Sequence, residues 1–199
     1  GVSVADVNAD GLPDIYVCHS GKYPDAKLVN ELFINHGMVK GVPQFREEAK
    51  KYGLDTPGTQ STQAAFFDYD RDGDLDMFLL NHSLHTHNAF LNTRKLRATP
   101  DMRYGNRLFR NDMSVRANGS PGGEAPVFTD VTKESGILNN PINYGLSVNV
   151  SDINQDGWPD VYTTSDYTEQ DCYYINNGDG TFTQSIKKSF HHTSKFSMG

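Results

Sequence analysis

The sequence predicts an all-β protein, a partial β-propeller of about three four-stranded blades with cation-binding hairpin loops, and three observations carry that prediction. One acidic pattern, D-x-[DN]-x-D-G-x-x-D, recurs at residues 6–14 ("DVNADGLPD"), 68–76 ("DYDRDGDLD") and 152–160 ("DINQDGWPD"). Each copy stands between two strand-forming runs, and two further elements follow it in the same order.

The runs before the acidic segments are "GVSVA", "QAAFF" and "LSVNVS"; those after are "IYVCHS", "MFLLNHS" and "VYTTSDY". β-Branched and aromatic residues dominate them, so each acidic segment reads as the loop of a β-hairpin. The third element is "NELFINHG" at 30–37, "NRLFRND" at 106–112 and "DCYYINNGDG" at 171–180. The fourth is "PQFREEAKKYGL" at 43–54, "PVFTDVTKESGI" at 126–137 and "GTFTQSIKKSF" at 180–190, with Phe45, Phe128 and Phe182 at the start of a short strand.

Four strands in a meander, three times over, are propeller blades, here at 1–54, 55–137 and 138–199. Asp6, Asp68 and Asp152 are 62 and then 84 residues apart, so the second unit is expected to carry an insertion of about twenty residues around 83–105. Closed propellers need roughly four to eight blades. The chain begins inside the first strand of a unit and ends in "KFSMG", which reads as the approach to another, so it is expected to be a piece of a larger propeller.

A net charge of −7 over 199 residues argues against nucleic acid as the main partner. No apolar run approaches the roughly 18 residues that span a bilayer, so no transmembrane segment is expected. No signal-peptide pattern opens the chain, which puts any targeting segment upstream of it or removes it in processing. Cys18 and Cys172 read as two small buried thiols rather than a disulfide.

Eleven of the 25 acidic residues lie in the three motifs. Carboxylates this close repel and do not enter a core unpaired, so each segment either faces water or surrounds a cation. Oxygens at positions 1, 3 and 5 can converge on one side of the loop, glycine at position 6 supplies the turn, position 7 offers a backbone carbonyl and position 9 a last carboxylate. Such an all-oxygen shell suits Ca²⁺, whereas zinc would want His or Cys, which the loops lack. The first site would use Asp6, Asn8, Asp10, the Leu12 carbonyl and Asp14; the second Asp68, Asp70, Asp72, the Asp74 carbonyl and Asp76; the third Asp152, Asn154, Asp156, the Trp158 carbonyl and Asp160. Three bound ions would bring the charge from −7 to about −1. Asp70 stands where the others have Asn8 and Asn154, so the second loop is expected to bind calcium at least as tightly as its siblings.

Turn chemistry alone explains one such loop, but not three in one register. An EF-hand needs Glu at position 12 and flanking helices; here that position is Val17, Leu79 or Thr163, and the flanks are strands. Thrombospondin-type calcium loops are packed at short intervals among many cysteines, unlike these widely spaced motifs between apolar strands.

The segments "VADVNADGLPDIYV", "FFDYDRDGDLDMFLLNHS" and "VSDINQDGWPDVYTTSDY", with "NGDGTF" at 177–182, resemble the FG-GAP/VCBS repeats of integrin α-subunit propellers. They are most similar to those of bacterial secreted proteins like cartilage acidic protein, of the ASPIC/UnbV type. The resemblance covers nearly all the chain and implies a β-propeller, calcium in the blade hairpins and an extracellular or outer cell-surface location. The function expected of such a segment is adhesion, recognition or assembly with a protein or glycan ligand, with structural calcium and no catalysis.

Other candidates are weaker. His82, His85 and His87 in "NHSLHTH" offer a transition-metal site or plain loop packing. Between residues 94 and 116, Arg94, Lys95, Arg97, Arg103, Arg107, Arg110 and Arg116 face two acidic residues, as a solvated loop or a contact for an anionic partner. Asn81, Asn118 and Asn149 begin N-x-S sequons. The alternative function is a polysaccharide-cleaving propeller enzyme with an axial His/Tyr site, which "HSLHTH" and the ten tyrosines leave open.

Overall fold

The runs flanking each acidic segment pair as an antiparallel hairpin in one register: Val4 stands opposite Ile15, Phe66 opposite Met77 and Val150 opposite Val161. A computed structural model of the chain describes residues 1–85, 93–113, 128–167 and 169–191. It holds three four-stranded antiparallel sheets, each a meander in sequence order. The first comprises β1 (Val2–Ala5), β2 (Asp14–Val17), β3 (Glu31–Val39) and β4 (Val42–Glu47). The second comprises β5 (Ser61–Phe67), β6 (Asp76–Asn81), β7 (Arg107–Asn111) and β8 (Phe128–Asp130). The third comprises β9 (Gly145–Ser151), β10 (Asp160–Ser165), β11 (Cys172–Asn176) and β12 (Phe182–Gln184).

The first strands of the sheets lie side by side, β1 against β5 and β5 against β9. Thr62 Oγ1 donates to the Gly145 carbonyl at 3.2 Å, and the Val148 amide donates to Gln63 Oε1 at 3.0 Å. One apolar cluster fills the space between the first and second sheets, and another that between the second and third. This is the blade packing of a partial β-propeller.

The middle position of the second sheet explains its composition. Along β6, Met77 and Leu79 point into the first cluster and Phe78 into the second, together with Leu80. Both faces are dry, so "MFLL" is a continuous apolar run where an outer strand alternates. The register of the fourth elements also repeats: Phe45, Phe128 and Phe182 stand opposite Asn35, Asn111 and Asn176.

Short helical turns follow the fourth strands, α1 (Ala49–Tyr52), α3 (Thr132–Ser135) and α4 (Ile186–Ser189), and α2 (Thr93–Arg97) precedes β7. The strand reading of the fourth elements missed them because one turn of helix is too short to show a period. Gly53 and Gly136 cap α1 and α3 with φ of 78° and 77°. A Cβ there would stand 3.1 Å from the Phe128 carbonyl oxygen and 3.0 Å from that of Phe182, so each glycine lets the next sheet approach.

The added length of the second sheet divides between two connections, residues 82–106 before β7 and 112–127 before β8. Both cysteines are free, Cys18 buried and Cys172 half-buried. Among the described residues no helix is long and apolar enough to cross a membrane.

Candidate metal centres

The three acidic loops share one backbone. Position 4, which is Ala9, Arg71 or Gln155, takes a left-handed φ of 54–62°, and the glycine at position 6 one of 84–98°. The first aspartate holds this double reversal through both oxygens. Asp6 accepts the amides of Asp10 at 3.0 Å and Gly11 at 2.8 Å. Asp68 accepts those of Asp72 and Gly73, both at 3.1 Å, and Asp152 those of Asp156 and Gly157 at 3.1 and 2.9 Å. The position-5 carboxylate accepts the position-7 amide: Leu12 to Asp10, Asp74 to Asp72 and Trp158 to Asp156, at 2.8, 3.1 and 2.8 Å. Positions 1 and 5 are thus used to fix the loop backbone, and position 7 enters through its N–H; among the described residues the predicted carboxylates come together as a group of three only at Asp68, Asp70 and Asp76.

Position 9 sits deeper. Asp14, Asp76 and Asp160 are fully buried and clamp the hairpin to the third strand. One oxygen of each accepts the amide of Asn35, Asn111 or Asn176, at 2.8, 2.8 and 3.0 Å. The other accepts the amide of Val7, Tyr69 or Ile153, at 3.1, 3.0 and 3.2 Å. Asp160 also accepts the Tyr173 hydroxyl at 2.9 Å. Sequence reasoning read these aspartates only as loop oxygens and passed over the three asparagines, although each closes the recurring "NELFIN", "NRLFRN" and "DCYYIN".

The second loop differs in charge. In the first and third, the amide at position 3 neutralises its neighbour: Asn8 Nδ2 donates to Asp10 Oδ2 at 3.0 Å and Asn154 Nδ2 to Asp156 Oδ2 at 2.8 Å. Asp70 has no such proton. Its Oδ1 is buried without a hydrogen-bond partner, and so is Oδ1 of Asp74. Burial first, then neighbouring carboxylates, pushes Asp74 up to about 7. Burial likewise takes Asp76 up to about 8, against the pull of the Asn111 and Tyr69 amides. Asp68, Asp70 and Asp76 each bring a carboxylate oxygen within 4.8 Å of the others. Orphaned oxygens, raised carboxyls and an all-oxygen donor set fit a hard divalent cation, whose charge reverses the local repulsion. The Arg71 guanidinium, 5.0 Å over the Trp158 ring, ties this loop to the third.

The other candidates are absorbed by packing. His82 stands edge-on to Tyr144, and its Nδ1 lies 3.3 Å from the Gly145 carbonyl. His85 packs on Tyr104, with Nδ1 2.9 Å from Ser83 Oγ; His87 lies outside the described residues. Within the basic run, Arg97, Arg103, Arg107 and Arg110 pair with Glu169, Asp25, Asp130 and Asp112 at 2.6–2.7 Å, so much of its charge is spent inside the molecule. Arg94 and Lys95 lie on α2, and Arg116 falls outside the described residues. Of the sequons, Asn81 is fully buried with its amide on the Gly105 carbonyl, which removes it as a modification site. Asn149 is exposed on β9, and Asn118 is not among the described residues.

A family model described as FG-GAP-like repeat matches residues 6–79 and 152–198, which takes in all three acidic loops. No curated protein matches the chain.

Proposed function

This chain belongs to the FG-GAP-like repeat family, and from that premise we propose that it is a calcium-stabilised propeller module of an extracellular or cell-surface protein. Its task is adhesion, recognition or assembly with a protein or glycan, as in secreted proteins similar to cartilage acidic protein. The single observation that carries the calcium reading is the second loop, where three carboxylates converge and two buried oxygens lack partners.

When bound, calcium supplies positive charge to each loop. The residues that would hold it are Asp6, Asn8, Asp10 and Asp14; Asp68, Asp70, Asp72 and Asp76; and Asp152, Asn154, Asp156 and Asp160, with the carbonyls of Leu12, Asp74 and Trp158. The chain's own part is to hold those oxygens in place through the position-1 and position-9 clamps. If the module is extracellular, an affinity of about 0.1–1 mM is expected, as is typical of extracellular calcium modules. The ligand would meet loops at one end of the ring, as rigid scaffolds present binding residues on their connections. Among the described residues, no comparable observation supports the polysaccharide-cleaving alternative.

Calorimetry with calcium and thermal melts with chelator test the proposal together. Heat of binding and a chelator-induced fall in Tm are expected; the absence of both would overturn the proposal.

A further inference from the structure

The carboxylates that end the three acidic loops are joined by one buried relay of hydrogen bonds. Asp14 accepts the Val7 amide at 3.1 Å, and the Val7 carbonyl accepts Asn111 Nδ2 at 3.2 Å. The Asn111 amide donates to one oxygen of Asp76 at 2.8 Å, and the other oxygen accepts the Tyr69 amide at 3.0 Å. The Tyr69 carbonyl accepts Asn176 Nδ2 at 2.8 Å, and the Asn176 amide donates to Asp160 at 3.0 Å. All seven residues are buried, where hydrogen bonds in series polarise one another more strongly than in water.

Each asparagine side chain also holds its own loop. Asn111 Nδ2 reaches the Leu75 carbonyl at 3.2 Å and Asn176 Nδ2 the Pro159 carbonyl at 3.3 Å, one residue before the position-9 aspartate. A single amide group thus ties position 8 of one loop to position 2 of the loop before it. Packing reinforces the tie: the Tyr69 ring stacks on Phe182 with centroids 6.0 Å apart, and Val7 shares an apolar cluster with Phe128. A loop that shifts to bring its oxygens onto a cation therefore moves against the sheet that follows it, and a close-packed core transmits that strain.

We propose that the three candidate calcium sites are coupled, an ion held at one raising the affinity of its neighbour, with Asn111 joining the first site to the second and Asn176 the second to the third. The inference rests on the calcium reading above. Its sign follows from preorganisation: the aspartate that fixes Asn176 also fixes Tyr69 of the second loop, so ordering either loop lowers the cost of ordering the other. The effect is reciprocal within each pair, and along this relay the first and third sites communicate through the second.

Trp158, the only tryptophan of the chain, stands at position 7 of the third loop, so the midpoint of its fluorescence on calcium titration reads that site. Asp70→Ala removes a carboxylate of the second site that makes none of the relay contacts. It should raise the calcium concentration at the Trp158 midpoint at least about fivefold, the low end of couplings between sites. In an Asn176→Ala background the same change should no longer move the midpoint. In an Arg71→Ala background, which lacks the guanidinium over the Trp158 ring, the shift should persist. The Asp70→Ala comparison decides whether or not Asn176→Ala keeps its fold, which circular dichroism checks. Calorimetry on the wild type separates the two readings: no heat of calcium binding overturns the calcium reading and the coupling with it. Heat of binding with a Trp158 midpoint unmoved by Asp70→Ala, or a shift that survives in folded Asn176→Ala, overturns the coupling alone.

Discussion

The side-chain amide of Asn176 donates to the backbone carbonyl of Tyr69 at 2.8 Å, so a residue of the third sheet holds the acidic loop of the second. Both groups are buried, and the same asparagine presents its backbone amide to Asp160 at 3.0 Å. One position thus links a loop, its own hairpin and the neighbouring sheet. Asn176→Ala should lower unfolding stability by about 1–3 kcal/mol, the cost of stranding a buried acceptor. Urea denaturation measures it, and a change within 0.5 kcal/mol would show that water replaces the amide.

Asp70→Asn should exchange calcium affinity for metal-free stability. The new amide can donate to Asp72 as Asn8 does to Asp10, and one half-buried negative charge is lost. In chelator the variant's Tm should rise by about 2–4 °C, the shift that 1 kcal/mol gives a chain of this size, while calcium binding to this loop weakens several-fold. A fall in metal-free Tm contradicts the reading of Asp70 as a repelled carboxylate with one unpartnered oxygen.

Gly136→Ala should destabilise by about 1–2 kcal/mol, since an L side chain at φ 77° is strained and its Cβ would press on the Phe182 carbonyl. The matching Gly53→Ala change meets the Phe128 carbonyl in the same way. Equal stability of both variants with the wild type in denaturant titrations would exclude this close approach.

Acid sensitivity should be traceable to Asp130. Burial alone would raise its carboxyl, but hydrogen bonds from Thr132 and the Arg107 guanidinium outweigh it and hold the group below the usual 3.8. A depressed native value adds stability above the unfolded value, which is lost as pH falls from there through the native one. Asp130→Asn should therefore cost stability at neutral pH and flatten the profile below about pH 4. An unchanged acid limb of the stability profile would refute it.

The repeat itself was legible because its signals are local. An Asx-rich turn with glycine at position 6, flanked by β-branched runs, specifies a hairpin within about fifteen residues, and three copies specify the meander. The acidic loops were readable for the same reason, but that Asp68 and Asp70 converge with the buried Asp76 and not with Asp72 depends on how the hairpin closes on the third strand.

Contacts between sheets were not legible, because they depend on residues far apart in sequence. Nothing in "NRLFRN" announces that Asn111 reaches Val7, and nothing in the basic run announces that Arg103 finds Asp25. Phe45, Phe128 and Phe182 look alike in the chain, yet burial differs with the presence or absence of a preceding sheet. By itself the sequence determined the hairpins, their acidic loops and the three-unit order, since these follow from backbone propensity and spacing. Only the tertiary structure decided which aspartates are clamps and which arginines are paired, because each outcome depends on partners brought together from distant parts of the sequence.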